Sequence, residues 1–215
     1  MAIAIFGQMR IDPADRDAFE AALAEHVAGT YAEEAGCIAL NVHRDSKDPE
    51  LLLAYELFRD AEAMAVHKET ARLANFRAAT EAMMRGGRIA YVETAPLDVP
   101  ARDVLPPAGP IAIFVECRVE RRDVFDPAIA AHIAATLRTE PGCLAFTWSW
   151  HPRRSDQVQL YELYASKEAL AVHRASDQLR KFRAETGALM LEARINYAEL
   201  AWHAPLDRLL ALQGG

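Results

Sequence analysis

Four of the seven histidines form two related pairs that could do acid–base chemistry. His26 and His132 each fall on the apolar face of a predicted helix, where apolar side chains recur at the spacing of one helix face. A titratable side chain is unusual there, because burying a charge is costly. Each histidine is therefore a candidate general base facing a cavity. The alternative is a neutral histidine that hydrogen-bonds to the backbone.

The second pair, His67 and His173, ends the apolar run of the related segments "YELFRDAEAMAVHKET" and "YELYASKEALAVHRAS". These residues are candidates for substrate binding, although a histidine at the end of a helix can simply satisfy free carbonyl groups. His26, His67 and Glu56 are the residue types that form a two-histidine, one-carboxylate metal site. No HxH or HxxxH spacing accompanies them, so we predict no metal.

Tyr55 and Tyr161 directly precede Glu56 and Glu162 on predicted strands. Neighbouring strand residues face opposite sides, so only one member of each pair can face a cavity. A tyrosine there could hydrogen-bond a phenolic or quinone oxygen and is a candidate catalytic residue; otherwise it is a core aromatic. The glutamates are interpreted as structural, with Arg88 as a partner for the first.

The second strands of the two segments differ in chemistry. Asn41 and His43 share one face in the first copy, whereas Trp148 and Trp150 share a face in the second. All four are candidates for substrate binding. A polar cavity in one copy and an aromatic wall in the other would leave one site active and the other degenerate.

These residues recur because the chain contains an internal repeat. A shift of 106 residues aligns Phe19–Tyr91 with Phe125–Tyr197 without a gap, and "IAIF" occurs before both first helices. The period is far longer than that of solenoid repeats, so each copy is expected to be a small domain. The predicted organisation is a domain at 1–95, a proline-rich linker at 96–110, a second domain at 111–205 and a tail at 206–215.

Each copy has the predicted order β-α-β-β-α-β, with the second helical stretch of the first copy broken near Thr70. This order gives a four-stranded antiparallel sheet with both helices on one face. The strands are apolar on both faces, so a second sheet is needed to cover them. The predicted class is α+β: two ferredoxin-like modules in tandem, with their sheets packed face to face as a pseudo-dimeric α+β barrel.

The amino-acid composition of the chain limits the kinds of partner that it can bind. The 215 residues carry a net charge of −7 with no basic run, which argues against a nucleic-acid or anionic membrane surface. No leader and no long apolar stretch are recognised, and the three cysteines lack CxxC spacing. We therefore expect a cytoplasmic protein with reduced thiols.

The ordered motifs "EPGCLAF", "YELYASKEALAVHRAS" and "KFRAETGALM", with "EAGCIAL", "YELFRDAEAMAVHKET" and "NFRAATEAMM" in the first copy, resemble the antibiotic biosynthesis monooxygenase domain of the dimeric α+β barrel superfamily. The chain resembles a fused tandem version. The resemblance implies cofactor-free oxidation of quinols or anthrones, haem degradation, or action on small phosphorylated or diketone metabolites. The residues that haem-degrading relatives use are missing here, and no phosphate loop is present.

The predicted function is a cofactor-independent monooxygenase that oxidises a small aromatic, quinol-like or anthrone-like substrate with O2. An isomerase or lyase acting on a small carbonyl metabolite is one alternative, and a non-catalytic ligand-binding barrel is another. The expected partners are the small substrate and O2, with no cofactor, nucleic acid or membrane. The chain is expected to be a monomer with an internal pseudo-dimer, or a homodimer.

Overall fold

A computed structural model of the chain describes residues 2–94 and 109–203. Contacts divide the chain into two compact units, which we call the first and second modules. The first module contains the described residues up to Glu93 together with the end of the last strand from Ala198, and the second contains those from Thr94 to Tyr197. Most of the predicted linker and all of the predicted tail lie outside the described residues.

The first module has the predicted order of elements. Strand β1 and helix α1 are followed by the β2–β3 hairpin, two short helices α2 and α3, and strand β4. Their bounds are Ile3–Ile11 (β1), Arg16–Glu33 (α1), Cys37–Asp45 (β2), Leu51–Phe58 (β3), Ala61–Glu69 (α2), Ala71–Thr80 (α3) and Met84–Thr94 (β4). The order β-α-β-β-α-β is thus confirmed.

The predicted break near Thr70 is also confirmed. Thr70 is extended, with φ −67° and ψ 140°, so it ends α2. Its side-chain oxygen accepts a hydrogen bond from the backbone N–H of Leu73, which starts α3. The same hydroxyl donates to the carbonyl oxygen of His67 at 2.8 Å. One threonine therefore separates the two helices and fixes the backbone of a candidate site residue.

The sheet of the first module is antiparallel, with β1 paired to both β3 and β4 and with β2 paired to β3. The end of the last strand, from Ala198, pairs with β2. One sheet face packs under the helices, because Leu23 and Val27 of α1 join Leu40 and Val42 of β2 in one buried cluster. This layering places the end of α2 directly above β3.

The second module repeats the pattern. Its elements are Ile111–Val119 (β5), Arg122–Thr139 (α4), Cys143–His151 (β6), Arg154–Tyr164 (β7), Lys167–Ala175 (α5), Asp177–Thr186 (α6) and Met190–His203 (β8). Ser176 takes the place of Thr70 and caps α6 through Leu179. The class α+β with two ferredoxin-like modules in tandem is confirmed. Face-to-face packing of the sheets stays a prediction.

Glycine is required where the turn after α1 passes under α2. The carbonyl of Gly36 accepts a hydrogen bond from the N–H of Arg59 at 2.9 Å. A Cβ atom added at Gly36 would collide with the Cβ of Ala63 in α2. Gly142 and Ala169 meet in the same way in the second module. These contacts set how closely each short helix approaches the sheet.

We expect Gly36→Ala to lower the free energy of unfolding by about 1–3 kcal/mol, because the added methyl group overpacks the contact with α2. The measurement is a urea titration followed by circular dichroism. Gly187→Ala is the matched control, since a Cβ there meets nothing within 4 Å and its φ of −56° suits alanine. The prediction is wrong if the two variants unfold at the same urea concentration.

Candidate functional site

The first module contains a cavity of about 560 Å³ between its helices and its sheet. Most of the wall is apolar, and several ionisable side chains interrupt it. The apolar residues include Ile5, Leu23, Leu40, Val42, Ala54, Leu73, Phe76 and Met84. The ionisable ones include His26, Glu56, His67, Lys68, Arg77 and Glu81. The volume and the apolar wall suit a small hydrophobic ligand with a few polar groups.

Glu34, His67 and Glu56 form a line of acid–base groups that ends at the cavity wall. Glu34 lies at the end of α1, and its Oε2 is 2.8 Å from Nδ1 of His67. Nε2 of His67 is 3.8 Å from Oε2 of Glu56 on β3. A carboxylate can only accept a hydrogen bond, so Nδ1 donates one to Glu34, and Nε2 is the ring nitrogen that faces Glu56. A proton on Glu56 therefore has a neighbouring group that can take it.

Burial raises the pKa of Glu56 to about 7, and Glu34 adds to this rise while Arg77 opposes it. The side chain is nevertheless 22 % exposed, because it forms part of the cavity wall. A carboxyl group with a pKa near the working pH can both take and return a proton. Glu56 thus has the properties of a general base, although the sequence interpretation treated it as structural.

His26 also lines the cavity, as expected, but its environment keeps it neutral. Its ring stacks on Phe76, with ring centroids 4.6 Å apart and an angle of 14°. Burial, followed by the nearby His67, lowers the pKa of His26 to about 4. Among the described residues, Nδ1 of His26 has no hydrogen-bond partner. That nitrogen is buried, so a neutral His26 would hydrogen-bond a substrate oxygen through the other ring nitrogen, carrying the N–H, from the cavity wall.

Three candidates from the sequence lie outside this cavity. Leu40 and Val42 of β2 line it, so the alternating residues Asn41 and His43 face the other side of the sheet. Tyr55 lies opposite Asn41 in the strand register and packs edge to face on Phe6. Asn41 and His43 therefore do not line this cavity, because the apolar side chains of β2 occupy the face under the helices.

The expected pairing of Glu56 with Arg88 is also wrong. Glu56 lies opposite Ile5 in the strand register, whereas Arg88 lies opposite Gln8. The ionisable side chain nearest to Glu56 is instead that of His67. The repeat contained a signal for the remaining member of the site, because Glu34 recurs as Glu140.

The second module assembles the same polar group. Nδ1 of His173 is 3.0 Å from Glu140, and Nε2 is 3.7 Å from Glu162. His132 stacks on Phe182 with ring centroids 4.8 Å apart. Burial lowers the pKa of His132 to about 4 and raises that of Glu162 to about 7.

The remaining candidates of the second module occupy both sheet faces. Trp148 and Trp150 pack on the helix side against Phe125. Nε1 of Trp150 donates to Asp126 at 3.0 Å. Tyr161 packs on Phe114, as Tyr55 does on Phe6 in the first module. The two tryptophans therefore share a face, and they pack against the core under the helices.

Comparison with known proteins identifies the family. The model of the antibiotic biosynthesis monooxygenase family matches the chain twice, over residues 2–79 and 111–185. The chain belongs to this family. The two matches fall on the two modules, so the chain is a tandem member. No curated protein gives a significant match.

Several solved structures share the fold. A "putative monooxygenase" from Lactobacillus acidophilus NCFM has a TM-score of 0.82 at 16% identity, covering 95% of this chain and 96% of that one. Another "putative monooxygenase", from Fusobacterium nucleatum, has a TM-score of 0.86 at 15% identity, covering 95% and 94%. An "anthrone oxidase-like protein" has a TM-score of 0.63 at 16% identity, covering 95% and 93%. At these identities the likeness shows the fold.

Two features that the described residues lack bear on other kinds of function. In residues 2–94 and 109–203, no helix has the length and hydropathy needed to cross a membrane. Within the same ranges, no three His, Cys, Asp or Glu side chains are grouped so that they could hold a metal ion.

We expect Glu56 to make the stability of the protein depend on pH. Its pKa is raised from 4.5 to about 7 by folding, so the unfolded chain loses this proton first as pH rises. Stability therefore falls between about pH 4.5 and 7 and then levels off. Glu56→Gln removes this loss. The free energy of unfolding of the variant, relative to that of the wild type, should therefore rise by up to about 3 kcal/mol between pH 4.5 and pH 8. Urea unfolding at the two pH values measures the gain.

The control for this experiment is Glu25→Gln on the exposed side of α1. Its difference from the wild type should be the same at both pH values. A Glu56→Gln difference that is equally constant would contradict the raised pKa.

Proposed function

We propose that this tandem member of the family is a cofactor-independent monooxygenase that oxidises a small aromatic, quinol-like or anthrone-like substrate with O2 in the cavity of the first module. The observation that carries the proposal is Glu56, a carboxyl group with a pKa of about 7 beside His67 in a mostly apolar cavity. The name of the "anthrone oxidase-like protein" that shares the fold supports the substrate class.

The first step is removal of a proton from the substrate. In an anthrone-type substrate the methylene group of the central ring loses H⁺ to ionised Glu56, and the substrate becomes an enolate. An apolar wall strengthens the effect of each nearby charge, since little water competes with it. The newly protonated carboxyl group lies beside Nε2 of His67, 3.8 Å away, and Glu34 holds the His67 ring in place through Nδ1.

The electron-rich enolate then reduces O2. One electron passes to O2, and the radical pair combines to form a C–O bond, giving a peroxide anion. Protonated Glu56 returns its proton, so the intermediate becomes a hydroperoxide. Loss of water leaves the carbonyl group of the quinone. Overall, one methylene group and one O2 molecule give one carbonyl group and one water molecule, which needs one group that first takes and then gives a proton.

The proposed roles differ from the sequence interpretation in one respect. His26 was the expected base, but a histidine whose pKa is about 4 holds a proton poorly at neutral pH. We assign proton transfer to Glu56 with His67. His26 binds the substrate oxygen, on which negative charge develops in the enolate. Tyr55 and Tyr161 have no part in this proposal, since Tyr55 lies outside the cavity and Tyr161 belongs to the second module.

The alternative of an isomerase or lyase uses the same groups, because Glu56 could also move a proton next to a carbonyl. It predicts turnover without O2 consumption. The absence of a cofactor, the cytoplasmic location and the choice between monomer and homodimer stay predictions.

The test is O2 uptake by the purified protein over a panel of hydroquinones and anthrones. We expect kcat/KM to rise with pH through about 7, because Glu56 must be ionised to act as the base. Glu56→Gln should lower kcat about 10²- to 10⁴-fold. Matched Glu162→Gln should keep most of the activity, since the proposed reaction takes place in the first module.

Two results would overturn this assignment. Full activity of Glu56→Gln would remove Glu56 as the base. Turnover of the accepted substrates at an undiminished rate under argon would replace the monooxygenase with the isomerase or lyase.

A further inference from the structure

We infer that the second module contains a second catalytic site of the same kind, which its own side chains seal, so that the chain has one working site and one latent site. This inference rests on the proposed function for the chemistry of the site. The sealing itself rests on packing and is tested separately.

The polar parts of the two sites agree closely. The Nδ1–carboxylate distances are 2.8 Å at His67 and 3.0 Å at His173. The distances from Nε2 to the strand glutamate are 3.8 and 3.7 Å. The two histidine rings of each module have centroids 5.7 and 5.4 Å apart. These distances do not distinguish a working site from an inactive one.

The walls differ instead. Leu40 lines the cavity of the first module, and its counterpart in the repeat is Phe146. The Phe146 ring packs edge to face on His132 and on His173, with centroids 5.4 and 6.2 Å away. This phenyl group therefore lies against both imidazoles, where a substrate would have to bind.

The floor of the site is filled at neighbouring positions. Gly7 and Ala54 lie opposite each other on β1 and β3 and line the open cavity. A Cβ at Gly7 would be 3.1 Å from that of Ala54, which is already a tight contact. The second module has Val115 opposite Leu160 at these places.

Trp148 replaces Val42 beside this floor. Its indole packs on the buried cluster of the second module, edge to face on Phe125. The larger side chains therefore join the core of the second module, where the first module keeps a cavity.

The strand carboxylate is also blocked in the second module. The Tyr164 hydroxyl donates to Oε2 of Glu162 at 2.6 Å, whereas the corresponding residue of the first module is Phe58. The Glu162 side chain is 9% exposed, against 22% for Glu56. A base that already accepts a strong hydrogen bond and cannot reach a cavity does not act on a substrate.

The first experiment counts binding sites, with 1-naphthol as the probe in isothermal titration calorimetry. We expect one naphthol per wild-type chain. The opened variant Phe146→Leu/Trp148→Val/Leu160→Ala/Tyr164→Phe, which gives the second module the side chains of the first at four of these positions, should bind two. The reciprocal variant Leu40→Phe/Val42→Trp/Ala54→Leu/Phe58→Tyr should bind none. Circular dichroism checks that each variant is folded.

Large-to-small changes in a core can prevent folding, so the single variant Phe146→Leu and the reciprocal variant provide the same test by other routes. Two naphthols per wild-type chain would overturn the inference, as would a folded opened variant that binds one. A reciprocal variant that still binds one naphthol would also overturn it, because the site in use would then lie outside the first module.

The second experiment measures O2 uptake with Glu56→Gln in the background. The opened variant should regain at least 10-fold activity over Glu56→Gln alone, and Glu162→Gln should abolish the gain. A variant that binds two naphthols but shows no turnover in either background supports the sealing and contradicts the proposed function. If the wild-type chain turns over substrate while the opened variant binds only one naphthol, the result supports the proposed function and contradicts the sealing.

Discussion

The fold of each module depends on how it accommodates a largely buried carboxyl group on an inner strand of its sheet. A buried carboxylate is costly unless it has a partner or holds its proton. Glu56 is accommodated by His67, and His67 is held by Glu34. These contacts require the end of α2 to lie above β3, so the glycine turn that lets α2 approach and the break at Thr70 serve the same arrangement. The same contacts therefore fix the packing of α2 on the sheet and the geometry of the site.

The two modules show that this polar arrangement and the apolar walls around it vary separately. Distances among the ionisable groups agree within a few tenths of an ångström, while Leu40 and Val42 are exchanged for Phe146 and Trp148. Removing one partner of a buried polar pair strongly destabilises the folded state, because the other partner is left buried without a hydrogen bond or an opposite charge. An apolar side chain can become larger wherever a cavity leaves room for it. The first constraint preserves the acid–base group, and the second lets the cavity disappear.

The order of elements could be predicted from the sequence because the apolar periodicity, the break near Thr70 and the repeat all point to one fold. The histidines of the site were found because a titratable group on an apolar helix face is conspicuous. The role of Glu56 could not be found from the sequence, because alternation along β3 shows only that Tyr55 and Glu56 face opposite sides. Which of them lies under the helices depends on the register with β1 and β2, and that register is set by packing across the whole sheet.

A second module sealed in the way inferred above would let one chain combine a densely packed half with a half that contains a cavity. A cavity lowers stability, since the side chains around it lose contacts. In a homodimer of identical single modules, every substitution occurs twice, so a change that closes one cavity also closes the other. Fusion of two copies removes this symmetry. One half can become densely packed while the other keeps an empty space, and natural selection can then act on the two requirements independently.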